Sequence, residues 1–127
     1  MYVVMGSLYG ATRFLSPTIT ALRYGRRMIN HIVIWKLKEE ADGRSKAEIA
    51  AELKTQLEAL PDLIPEIQAL EIGPNVKAGE FAGDIALYST FKSLEDLATY
   101  ANHPEHLKVG AFLKGVVTER RVVDFEG

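Results

Sequence analysis

The segment Tyr100-Ala101-Asn102-His103-Pro104-Glu105-His106 places a tyrosine and two of the chain's 3 histidines at intervals of three residues. Imidazole titrates near neutral pH, so proton transfer is the chemistry this segment can offer. On helical structure Tyr100, His103 and His106 share one edge, even across a kink at Pro104. A neutral His106 could then remove a proton next to a carbonyl while the Tyr100 hydroxyl donates to the developing enolate. These two are the candidate catalytic residues. His103 reads mainly as structural, because Pro104 suits the first position of a helix and the residue before it is placed to cap that helix.

The remaining histidine, His31, lies far upstream on an apolar segment, in phase with Val33 and Trp35. Its plainest reading is a satisfied core residue. If its face is the one turned toward helices, however, it meets His106 across a pocket and becomes the third candidate catalytic residue. A three-histidine metal site is a weaker reading: only Glu105 is near enough in sequence to support the ligands, so no metal and no cofactor are expected. Trp35 and Tyr88 read as core or interface packing rather than a cofactor platform. Gly73-Pro74-Asn75 and the glycines between 79 and 83 are turn chemistry, not a phosphate loop, and no nucleophile elbow is present. The acids Glu39, Glu40, Asp42, Glu58 and Glu66 read as solvated faces.

These residues must be positioned by a single domain, which is what 127 residues with 47% hydrophobic and 25% charged content allow. There are no cysteines, which excludes disulfides, thiolate metal sites and cysteine nucleophiles and fits a cytoplasmic location. A net charge of -2 gives no reason to expect nucleic acid, and no apolar run is long enough to imply a membrane span. The charge is lopsided, since the first 38 residues carry Arg13, Arg23, Arg26, Arg27, Lys36 and Lys38 but no acid. Residues 1–27, rich in Ser, Thr, Gly and Arg and without hydrophobic periodicity, are set apart as an N-terminal extension. They read either as sequence upstream of a true start at Met28 or as an organelle-targeting leader. The folded domain is expected over 28–127.

Within it, Ile29 to Lys38 alternates with apolar residues on both faces and predicts a covered strand. A loop from Glu39 to Arg44 follows. Ser45 and Glu48 then form a capping box for a helix whose Ile49, Ala50, Leu53, Leu57 and Leu60 make one buried stripe, stopped by Pro61 and Pro65. A strand over Ile67–Val76, interrupted by Gly73-Pro74, suggests an edge. Asp84–Phe91 alternates as a third strand, Ser93 caps a short helix, Pro104 opens its continuation to about Gly115, and Val116–Phe125 is a fourth strand. This order is the split βαβ plan of ferredoxin-like α+β domains, with a four-stranded antiparallel sheet and helices on one face. Because the strands are apolar on both faces, the helix-free face needs a cover. A second copy of the chain, giving a symmetric homodimer through the sheet faces, is the simplest.

Residues 28–126 resemble the stress-responsive dimeric α/β barrel family. The resemblance is carried by Ile29-Asn30-His31-Ile32-Val33-Ile34-Trp35-Lys36, Leu63-Ile64-Pro65-Glu66-Ile67, Gly73 with Asn75 and Val76, and His103-Pro104-Glu105-His106. It implies a ferredoxin-like subunit, a dimeric barrel with its helices outside, and a pocket between sheet and helices for a small apolar or phenolic ligand. Plant polyketide cyclases of that family use a tyrosine and a histidine as an acid/base pair for an aldol closure. By similarity the matching positions are Tyr100 and His106, with His31 at the pocket position on the first strand. Val33, Trp35, Leu57 and Leu87, with His103, are the expected pocket or structural supports. The resemblance departs from the cyclases where those place aromatic residues around the substrate tail, because this chain has Leu57 and a valine, Val116 or Val117. The expected function is therefore a homodimeric pocket protein, with a cofactor-free acid/base enzyme for an aldol cyclisation or isomerisation as the leading activity. The alternatives are a non-catalytic ligand-binding or stress-response dimer, and a cofactor-free monooxygenase or haem-handling barrel.

Overall fold

The computed structural model describes residues 27–127. The expected N-terminal extension, but for Arg27, lies outside them. The first strand, β1 (Ile29–Leu37), sits at the centre of a sheet because both its edges are paired and its alternate residues face a core. Val33, Trp35 and Leu37 are buried on one face, with His31 among them, while Ile34 and Lys36 are exposed on the other.

The region read as a loop from Glu39 to Arg44 is instead a tight hairpin of β2 (Glu40–Ala41) and β3 (Arg44–Ser45). Asp42 (φ 53°) and Gly43 (φ 76°) both adopt the left-handed conformation that a two-residue turn of this hand requires, which an Asp-Gly pair tolerates. Ser45 then caps α1 (Lys46–Glu58). Its hydroxyl accepts from the Glu48 N–H at 3.2 Å and its own N–H donates to the Glu48 carboxylate at 2.9 Å. Ile49, Leu53 and Leu57 of α1 are fully enclosed against the sheet. Pro61 lies in the single 3₁₀ turn Leu60–Asp62 that ends this region.

An edge strand, β4 (Ala69–Pro74), is shorter than the expected Ile67–Val76, and Pro74, which has no N–H for a ladder, stands at its end. β5 (Ile85–Phe91) pairs antiparallel with both β4 and β1. Ser93 caps α2 (Leu94–Asn102) by accepting from the Asp96 N–H at 3.1 Å. α3 (Pro104–Leu113) starts immediately after a break at His103, and β6 (Val117–Glu126) closes the sheet beside β1. The strand order β4-β5-β1-β6, antiparallel throughout, is the ferredoxin-like arrangement the sequence implies.

The core lies between this sheet and the helices, filled by Val33, Trp35, Leu87, Phe91, Ile49, Leu53 and Leu57. The helix-free face is also apolar: Ile34 is 42% exposed, Tyr88 41%, Val123 57% and Phe125 48%. No helix of the described residues is long and apolar enough to cross a membrane.

Candidate functional site

Antiparallel register places His31 of β1 directly opposite Asp124 of β6, with both side chains on the helix-facing side of the sheet. His31 Nδ1 donates to Asp124 Oδ1 at 2.5 Å. The carboxylate fixes the ring's orientation and occupies Nδ1, so Nε2 is the nitrogen left for a ligand.

Tyr100 is carried in by α2 and is almost wholly buried. Its ring lies 4.9 Å from the Phe91 ring, 6.0 Å from that of His31 and 4.4 Å from that of His106, centroid to centroid. The hydroxyl is enclosed and has no hydrogen-bond partner among the described residues. Burial pushes the phenol up to about 12, opposed only in part by the charge of Arg120, so Tyr100 stays a proton donor throughout the neutral range.

His106 enters from the first turn of α3. Its Nδ1 lies 3.0 Å from the Ala101 carbonyl oxygen, an acceptor only, so Nδ1 carries the proton and Nε2 keeps its lone pair. Burial lowers the proton affinity of His106 below the usual 6.5; the Ala101 bond opposes this, and the charge of Arg120 adds to it. The residue is therefore a neutral base with a lone pair available at Nε2.

His31, Tyr100 and His106 line one cavity of about 330 Å³ between sheet and helices. Val33, Trp35, Leu57 and Leu87 form apolar wall, with Val109, Leu113 and Val117 from the opposite side. Of the two valines considered at the start of the last strand, Val117 faces the cavity and Val116 is buried in the core. His103 is not at the cavity: its Nδ1 accepts from the Glu105 N–H at 3.1 Å, and it caps α3. The 3 histidines thus do not converge, and no cluster of His, Asp or Glu among the described residues is arranged to hold a metal.

Two residues of the site escaped sequence reasoning, Asp124 behind His31 and Arg120 on the cavity wall. The signal was available in the alternation of β6, where Arg120, Val122, Asp124 and Glu126 share the helix-facing side, so that three of these four positions are charged.

A four-stranded antiparallel sheet with helices on one face, enclosing a tyrosine and two imidazoles beside an apolar-walled cavity, defines a ferredoxin-like α+β domain. The chain belongs to the stress-responsive A/B barrel domain family, whose model matches residues 29–127. It is 32% identical over 83 residues to a stress-response A/B barrel domain-containing protein of Arabidopsis thaliana, a match covering 65% of this chain and 30% of that protein's length. Among solved structures, it is similar to a dimeric ferredoxin-like protein of unknown function from Bacteroides fragilis, at 39% identity and TM-score 0.72, over 79% of this chain and 96% of that one. A hydroxynitrile lyase from Passiflora edulis shares the fold at 17% identity and TM-score 0.68, over 80% of this chain and 94% of that one.

Proposed function

We propose that the protein is a homodimeric, cofactor-free acid/base enzyme that acts on a small carbonyl compound, of the aldol cyclisation or isomerisation type. His106 Nε2 removes a proton next to the carbonyl, and the Tyr100 hydroxyl donates to the oxygen on which negative charge develops. His31, held by Asp124, orients the ligand from the sheet side. The observation that carries this reading is the enclosed, unpartnered Tyr100 hydroxyl beside a histidine whose free nitrogen is the basic one. A buried hydroxyl without a partner is costly, and a ligand carbonyl is the acceptor that relieves it.

The cavity of about 330 Å³ supports a small ligand over haem, which needs a much larger flat slot. The exposed apolar sheet face supports a homodimer, as does the dimeric state described for the Bacteroides relative. A thermal-shift screen of phenolic and carbonyl compounds on wild type and His106→Ala tests the pocket. Hits are expected to stabilise the wild type and to lose most of that shift in the variant. Equal shifts in both proteins would remove His106 from the binding site.

A further inference from the structure

The cavity wall carries two cations and no free acid. Arg120 and Lys114 both line it, and both are exposed, which puts them on its solvent side. Asp124, the nearest acid on the same strand face, is taken by His31 and is not part of the wall. Its Cα is four strand residues from that of Arg120, about 13 Å away. Among the described residues, neither Arg120 nor Lys114 has a carboxylate within ion-pair distance.

Arg121, the next residue, shows the contrast. It points to the opposite face of the sheet and pairs with Glu119 at 2.6 Å, an ordinary surface arrangement. Arg120 points to the helix side, opposite Trp35 in the register, and its charge reaches the acid/base pair, where it lowers the proton affinity of both Tyr100 and His106. Trp35 is buried beside it, with an indole N–H that has no acceptor among the described residues. At the mouth of an apolar-walled cavity, an arginine that water can hydrate but that no carboxylate occupies is free to bind an entering anion.

We propose that this pocket selects carbonyl compounds that also carry a carboxylate, gripped by Arg120 with Lys114 beside it, while the apolar body lies against Val33, Leu57 and Leu87 and the carbonyl reaches Tyr100. This rests on the acid/base reading of the same cavity and adds the substrate class to it. The planar guanidinium matches a carboxylate with two parallel hydrogen bonds, and Lys114 supplies a second, mobile charge. The two ends also fix the orientation of a keto acid, because the carboxylate finds opposite charge at the cationic end and the carbonyl needs only the neutral Tyr100 donor.

The test is calorimetric titration of the full chain with 4-oxo-4-phenylbutanoate and with its uncharged amide. The acid is expected to bind about 10- to 100-fold more tightly than the amide, the range that a hydrogen-bonded charge contributes. Arg120→Gln should erase most of that preference while leaving amide affinity within about twofold, and Lys114→Gln should erase a smaller part. Thermal unfolding of each variant, matched to wild type, shows that the fold is intact. Equal affinity of wild type for acid and amide, or a preference that survives both substitutions, would overturn the carboxylate assignment and leave the pocket standing. If neither probe binds wild type, the pocket reading fails and this assignment fails with it.

Discussion

The Tyr100 hydroxyl is the most informative atom of the site because it forms no hydrogen bond within the described protein. A buried tyrosine whose hydroxyl is bonded loses about 1 kcal/mol or more when the oxygen is removed. Here there is no such bond to lose, so Tyr100→Phe is expected to leave the urea unfolding midpoint unchanged or raise it; a loss of about 1 kcal/mol would show that the hydroxyl has a structural partner. His106 has a complementary pH signature. Burial lowers its proton affinity in the folded state, so the neutral base predominates from below 6.5 upward. The same shift makes its contribution to stability complete above 6.5 and progressively lost as pH falls below that value, since the unfolded chain binds the proton first. Tyr100, His106 and His31 were legible because their types and spacing are visible along the chain. Asp124 and Arg120 were not, because Asp124 acquires its meaning only when β6 is laid beside β1, bringing together residues 93 positions apart.

At the scale of elements, local signals were the dependable ones. The Ser45 and Glu48 pair and the Ser93 cap each predict a helix start from side-chain chemistry within four residues, and the structure has both. The break at His103-Pro104 has the same origin, since proline supplies a first helical residue that needs no N–H partner. It also sets the site, because it turns the chain so that the rings of Tyr100 of α2 and His106 of α3 pack against each other with their planes tilted by 49°. The hairpin at Asp42-Gly43 went unread because its strands are only two residues long, too short for any alternation to register. Ser45→Ala removes one side of the reciprocal cap of α1 and is expected to cost about 1 kcal/mol, a fall of about 4–8 °C in Tm for a domain of this size. Thermal unfolding measures it, and an unchanged Tm would mean that water replaces the cap without loss.

At the scale of the whole molecule, the sheet has one covered face and one that exposes Ile34, Tyr88, Val123 and Phe125. Strands apolar on both faces announced this in the sequence, since alternation alone would have left a polar outer face. If two subunits meet through these faces, a charge introduced on them is buried in the interface with no partner. Val123→Glu is therefore expected to convert a dimer to a monomer in sedimentation analysis, whereas a dimer that persists would place the interface elsewhere. The pocket lies on the opposite side of the sheet, so its chemistry can be tested in either state. If His106 and Tyr100 move a proton next to a carbonyl, NMR detection of deuterium uptake at the methylene next to the keto group of 4-oxo-4-phenylbutanoate in heavy water reads that step itself. Wild type is expected to accelerate exchange, with a rate that rises with pH along an acid limb centred below 6.5, while His106→Ala and Tyr100→Phe lose about 100-fold or more. Exchange no faster than in buffer, or exchange that survives in both variants, would rule out the acid/base role of this pair.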